Sequence, residues 1–347
     1  MRNNNFDILH LLCAMLVIVS HSYALVGLRD SEPLLRLTHM MIASDIGLCG
    51  FFTISGYFIL NSLMTSKNLF SYLGKRCLRI FPALAVCLVV VIVACSFFYT
   101  GDGSYWGQKE TYSYIWRNLA LYPIQWDIPG LFENNFMSTV NGSLWTLAPQ
   151  FTLYILIIAL FLVRKHRPIV VALSFIALIL CLIKNVIFAD KFAHTDICYI
   201  GVNSFSRFAQ FFAAGMLLQV RQYFHSNKAR WIIIAVCSIL ALVLLVIHTY
   251  IHTLISISPL VMLCVSVIFI MVGEMFWKPA SDLFKRVGDL SYGTYIYAFP
   301  IQQMIIASIP CIAPRMLMAL TIAVVLLVAF VSWKFIEAPA LSLKKYL

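Results

Sequence analysis

Ten stretches of this chain, near residues 6–26, 44–65, 80–99, 143–163, 168–188, 200–220, 231–250, 254–276, 288–309 and 315–335, are each about twenty residues long and almost wholly apolar. Roughly that length of helix crosses the hydrocarbon of a bilayer. The expected fold class is therefore all-α: a polytopic membrane helix bundle of about ten transmembrane helices. Composition agrees, with 62% hydrophobic and only 11% charged residues, against roughly 25% charged in a soluble domain.

The formal net charge of +11 would point to nucleic acid in a soluble chain. Here the basic residues sit in short segments between apolar spans, where they report orientation. Alternate connections collect Arg2, then Lys67, Lys75, Arg76 and Arg79, then Arg164, Lys165 and Arg167, then Arg221, Lys228 and Arg230, then Lys278, Lys285 and Arg286, and finally Lys334, Lys344 and Lys345, the larger part of the 25 lysines and arginines. Both termini are expected on the cytoplasmic side. The first span lacks an evident small-residue cleavage site and reads as a retained anchor, not a cleaved signal peptide.

The longest connection, about 100–142, falls on the outer side. It carries Tyr105, Trp106, Tyr112, Tyr114, Trp116, Tyr122 and Trp126, aromatics suited either to stacking on sugar rings or to lying along lipid headgroups. Of the ten cysteines, most lie within spans, and no CxxC pair or zinc-type Cys/His spacing occurs. Cys198 and Cys311 both fall on the outer side, where an oxidising compartment would permit a bridge. No metal is implied.

The first span holds His10 and His21 in an otherwise apolar run, and ionisable groups at membrane depth point to function. Eleven residues at roughly 100° each bring both rings to one face, separated by about 16 Å of helix. Arg76 and Arg79, three apart, project from one helix face before Pro82. They serve either as a positive-inside anchor or as a clamp for a phosphorylated cosubstrate, which the planar guanidinium suits. Ser55-Gly56-Tyr57 and Asn141-Gly142-Ser143-Leu144-Trp145 are unusually small and polar for membrane helices, which close helix packing would also explain. Gln150 lies two turns beyond Ser143 on the same face, and a neighbouring histidine is one candidate partner for its amide. Arg207 interrupts the sixth span. Asp289 through Tyr297 opens the ninth, and Pro300 is expected to kink it.

In this order the pieces resemble the acyltransferase-3 family of integral membrane O-acyltransferases. The resemblance covers nearly the whole chain: Phe6-Asp7 with His21, Phe51 through Tyr57, Arg76 to Pro82, Asn141 to Leu147 with Tyr154, Ser291-Tyr292-Gly293 through Gln303, and Ser332-Trp333 with Glu337 and Pro339. It implies transfer of an acyl group, commonly acetyl from acetyl-coenzyme A, to a hydroxyl of a surface polysaccharide such as O-antigen or of its lipid-linked precursor, in a bacterial inner membrane. Some members carry a fused extracytoplasmic esterase-like domain; here a single transmembrane domain over 1–347 with no fused soluble domain is expected.

On that reading His21 is the general base and Gln150 a ring-orienting catalytic neighbour. His10, Arg76 and Arg79 hold the cosubstrate phosphates. Ser55, Asn141, Ser143, Trp145 and Tyr292 are the candidate substrate contacts. Two positions depart from the family pattern: it usually has arginine where this chain has His10, and glutamate where this chain has Gln150. A histidine is cationic only conditionally near neutral pH, and glutamine cannot supply a negative charge. The competing readings are a catalytically weakened relative and a glycolipid or metabolite transporter. A transporter fits the composition, although no repeated halves are visible. A soluble-type serine hydrolase is disfavoured by the lack of a GxSxG elbow.

Overall fold

The computed structural model describes residues 5–189, 191–192, 195–220, 226–250, 256–275 and 277–347; Arg2 and Arg221 lie outside them. Its helices, in chain order, are α1 (Phe6–Ala24), α2 (Pro33–Thr38), α3 (Ala43–Thr65), α4 (Leu69–Cys95), α5 (Lys109–Ala120), α6 (Leu147–Leu156), α7 (Arg167–Ile187), α8 (Val202–Val220), α9 (Asn227–Tyr250), α10 (Ser258–Gly273), α11 (Lys278–Val287), α12 (Ser291–Ser308), α13 (Pro314–Ser332) and α14 (Ala338–Ser342). Each of the ten apolar stretches coincides with a helix. Among the described residues seven helical segments are long and apolar enough to cross a membrane. Those containing α8 and α12 are not among them, and burial explains why: nearly every side chain of α12 from Ser291 to Gln303 is covered by protein, so it need not be lipid-compatible. By contrast α9, about 36 Å long, buries no side chain and exposes Trp231, Val236, Ile239, Leu242 and Val246, as a lipid-facing helix would.

Close packing centres on α3, which lies between α1 and α8. The crossing with α8 is reciprocal. A Cβ on Gly56 would sit 2.0 Å from the Phe212 carbonyl oxygen, and one on Gly215 would sit 2.0 Å from that of Thr53. Only hydrogen at both positions lets the two backbones touch, which is how small residues hold membrane helices together. Phe52 then stacks on Phe208 at 4.1 Å.

Several polar groups within the bundle are paired in ways that set its geometry, as an apolar environment favours. Pro300 lacks the N–H that would bond the Ile296 carbonyl one turn earlier, and the Asn141 amide donates to that carbonyl instead at 2.8 Å. The buried Glu32 carboxylate accepts from Leu35 N–H, Ala43 N–H and Ser20, and so caps both α2 and α3. Arg207, whose partner could not be named from sequence, meets Asp45 at 2.7 Å.

Three expectations change. The helix placed at 80–99 begins at Leu69, capped by Asn68 accepting from Ser71 N–H at 2.7 Å, so Arg76 and Arg79 sit within it. The long connection is a folded cap: it contains α5 and buries Tyr105, Tyr114, Ile128, Leu131, Phe132 and Val140. Cys198, in a two-stranded hairpin (Asp196–Ile197 with Ile200–Gly201), and Cys311, in the α12–α13 turn, are exposed free thiols. Gly56→Ala or Gly215→Ala is expected to destabilise the bundle by roughly 1–3 kcal/mol, read as a lowered unfolding temperature of the detergent-purified protein.

Candidate active site

A cavity of about 460 Å³ follows α3 from Leu48 to Thr65, about 26 Å of helix. It is walled by His10 and Asp7 from α1, Lys75, Arg76 and Arg79 from α4, Gln150 and Tyr154 from α6, and Ser291, Tyr292 and Tyr295 from α12, with Asp289 just before that helix and Lys344 near the end of the chain. Four fixed cations against two carboxylates leave the walls net positive before His10 is counted.

The cations are not equivalent. Arg79 is committed to Asp289 at 2.5 Å, and Asp289 also accepts from the Ser291 hydroxyl at 2.5 Å and its N–H at 3.1 Å. Arg76 donates to Ser62 at 3.3 Å and lies 5.9 Å from the Tyr154 ring centre. It has no carboxylate partner, and its buried Nε has no hydrogen-bond partner among the described residues. Lys75 bonds, among the described residues, only the Ser66 hydroxyl, at 3.4 Å. A buried donor without an acceptor is costly, and Arg76 and Lys75 therefore form the anion-receptive end.

His10 stacks on Phe51 at 5.9 Å, and its ligating atoms lie within 4.8 Å of those of Asp7 and Asp289. By distance these three could hold a cation, but the Arg79 guanidinium already occupies Asp289. Gln150 does not orient an imidazole with its amide nitrogen, which donates to Ser55 at 3.1 Å and Tyr154 at 2.8 Å. It fixes the cavity wall and the aromatic ring beside Arg76.

Of the residues singled out from sequence, the cavity gathers His10, Ser55, Arg76, Arg79, Gln150 and Tyr292. The Tyr292 hydroxyl is turned away, donating to the Ile80 carbonyl at 3.0 Å. His21, Asn141, Ser143 and Trp145 do not line it. Asn141 splints α12 through Ile296, Trp145 packs on Phe208 at 5.3 Å, and the Ser143 carbonyl accepts from Tyr295 at 3.1 Å.

At the inner end of the cavity the Thr146 and Tyr295 hydroxyls lie 2.5 Å apart. His21 lies one turn beyond. Along α12, Tyr295 lines the cavity while Phe299, four residues on, meets the His21 ring edge-on at 5.1 Å. Along α3, Leu48 lines it while Ser44, four residues back, bonds Ser20 beside His21. Both routes give a separation of about 6 Å. Gln302 locks α1 at this level by donating to Ser22 at 2.8 Å and to the Ile18 carbonyl at 3.2 Å. His21 Nδ1 has no partner among the described residues. The sequence reading missed Tyr295 and Thr146, and Tyr154 beyond its place in a motif. Tyr154 was legible as the residue one turn after Gln150 on the same face. The Thr146–Tyr295 pair joins distant segments and left no local signal.

A family model described as an acyltransferase domain matches residues 3–334. The chain belongs to the acyltransferase-3 family. This acyltransferase is 29% identical to the "O-acetyl transferase" of Shigella phage Sf6, over 97% of the chain and 95% of the phage protein. It is 27% identical to "Nodulation protein 10" of Rhizobium leguminosarum bv. viciae, over 98% of the chain and 94% of that relative. No solved structure matches it. The chemistry is O-acyl transfer. If Arg76 is the anion-binding cation, Arg76→Gln raises the acyl-donor KM by roughly tenfold, the worth of a charge-assisted hydrogen bond, with folding intact. Arg79→Gln instead strands Asp289 and lowers thermal stability; equal KM effects without destabilisation would show that both arginines serve the donor.

Proposed function

We propose that this enzyme transfers an acetyl group from acetyl-coenzyme A to a hydroxyl of a surface polysaccharide or of its lipid-linked precursor. The single observation that carries this reading is a cationic cavity whose inner end stops one turn short of His21. The phage relative's name supports acetyl as the group moved, and the family resemblance supports a glycan acceptor. The bundle would sit in a bacterial inner membrane with ten spans and both termini cytoplasmic, which puts the Arg76 end of the cavity where acyl-coenzyme A is available.

In this reading Arg76 and Lys75 take the anionic phosphates, with His10 standing where the family usually has arginine. The narrow course along α3 leads the acyl-bearing end inward past Gln150 and Ser55. Thr146 and Tyr295 must part for it to reach His21. The His21 imidazole accepts the proton of the acceptor hydroxyl as that oxygen bonds to the thioester carbonyl carbon. When the carbon–sulfur bond breaks, the leaving thiolate takes the proton from the imidazolium, so charge and protons balance. Phe299 and Gln302 hold the ring and its helix in register for this exchange. Gln150 contributes by positioning Ser55 and Tyr154.

The test is acetyl transfer from labelled acetyl-coenzyme A to surface polysaccharide by purified protein. His21→Ala is expected to reduce turnover by at least about 10²-fold, the range of general-base catalysis, with donor binding retained. Wild-type turnover in that variant would remove His21 from the mechanism. Gly142→Ala is a second probe, because its Cβ would fall 2.5 Å from the Phe299 ring and drive that ring toward His21. It is expected to lower kcat several-fold while leaving the donor KM unchanged.

A further inference from the structure

The end of the bundle opposite the donor cavity holds a second cleft of about 460 Å³, which no step above uses. From Arg79, at the cavity, α4 runs to Cys95 beneath the cap, about 24 Å of helix, so the two openings lie at opposite ends. One wall of the cleft is the polar stripe of α5, with Glu110, Ser113 and Arg117 at helical spacing. The neighbouring stripe, Thr111, Tyr114 and Asn118, about 100° round the helix, is buried in the cap. The other wall comes from residues 125–138.

Gln125 fastens the two walls. Its carbonyl accepts from Ser113 at 2.7 Å, and its amide donates to the carbonyls of Glu110 at 2.9 Å and Asp127 at 3.2 Å. Asp127 accepts from Ser138 at 3.2 Å through one oxygen, and Glu133 accepts from Gly130 N–H at 2.7 Å through one oxygen. Each carboxylate keeps a second oxygen without a hydrogen-bond donor among the described residues, and Arg117 has neither hydrogen bond nor ion pair there. The cleft therefore offers fixed acceptors beside an uncommitted planar donor, the arrangement that adjacent hydroxyls of a sugar ring satisfy from both sides. Three carboxylates, Glu110, Asp127 and Glu133, against Lys109 and Arg117 leave the lining slightly negative, which disfavours an anionic ligand. No aromatic side chain of the cap lines it, so recognition is by hydrogen bonding.

The cleft wall also leads to the catalytic ring. Val140 N–H donates to the Trp126 carbonyl at 2.9 Å, and Gln303 of α12 holds the same segment by donating to the carbonyls of Met137 and Thr139 at 2.7 and 2.6 Å. From Ser138 the chain reaches Gly142, against Phe299 and hence beside His21, in four residues, at most about 14 Å.

We infer that this cleft is the acceptor subsite: it binds a neutral, hydroxyl-rich segment of saccharide next to the sugar that is acylated. The identity of the acceptor rests on the acyl-transfer reading above. The test is binding of O-deacetylated surface polysaccharide, from cells that produce this chain, to the purified full-length protein without donor, read by tryptophan fluorescence or calorimetry. Asp127→Asn with Glu133→Gln is expected to weaken binding by roughly tenfold or more, and Arg117→Gln, an exposed substitution that leaves the fold intact, by several-fold. Equal binding by wild type and variants, or no binding by wild type, overturns the cleft assignment. Wild-type binding without acetyl transfer would instead overturn the proposal of acetyl transfer to this polysaccharide and leave the saccharide cleft standing.

Discussion

Pro300 leaves the carbonyl of Ile296 without a helical donor in the middle of the most buried helix, and Asn141 reaches from the cap to supply one. Leaving that carbonyl unpaired would cost about 1–3 kcal/mol. The bond also sets position. It fixes the Asn141–Gly142 turn against α12, Gly142 then touches Phe299, and Phe299 bears on the His21 ring. A backbone defect on one helix thus becomes the joint that ties the cap, the central helix and the histidine-bearing helix together. The motif that looked from sequence like a substrate-contacting patch also ties the cap to α12 through Asn141 and brings Gly142 against Phe299, which meets the His21 ring.

Around that joint the molecule has two ends of different character. At one, Arg76 and Lys75 present positive charge without carboxylate partners among the described residues, and Arg79 is neutralised by Asp289. At the other, the cap presents carboxylates, an amide and a guanidinium on a rigid surface. A phosphorylated donor and a hydroxylated acceptor are chemically suited to opposite ends. The Thr146–Tyr295 hydrogen bond stands between the cationic cavity and His21.

Apolar runs are a local property, which is why every stretch read as a span coincides with a helix, with boundaries off by a few residues except at α4. There Asn68 caps the helix well before the apolar run begins, a signal that hydropathy hides. The periodicity argument for His10 and His21 was sound about their shared helix, but it did not tell that a hydroxyl pair from two distant segments would separate them. Arg76 and Arg79 look interchangeable in sequence, and only the fold brings Asp289 to one of them. The cap read as a loop because its buried residues are spaced irregularly and find partners far along the chain, on α4, α6 and α12 and across the cap itself. The seven aromatics there drew attention to stacking, whereas the cleft is built from the polar residues between them.

The central claim is that donor and acceptor approach His21 from opposite ends of the bundle. The most direct measurement is acetyl transfer by this protein in sealed vesicles of known orientation, with acetyl-coenzyme A and polysaccharide confined to chosen sides. The account predicts transfer only when acetyl-coenzyme A is on the side of Arg76 and the polysaccharide is on the side of the cap. Efficient transfer with both substrates on a single side would contradict it.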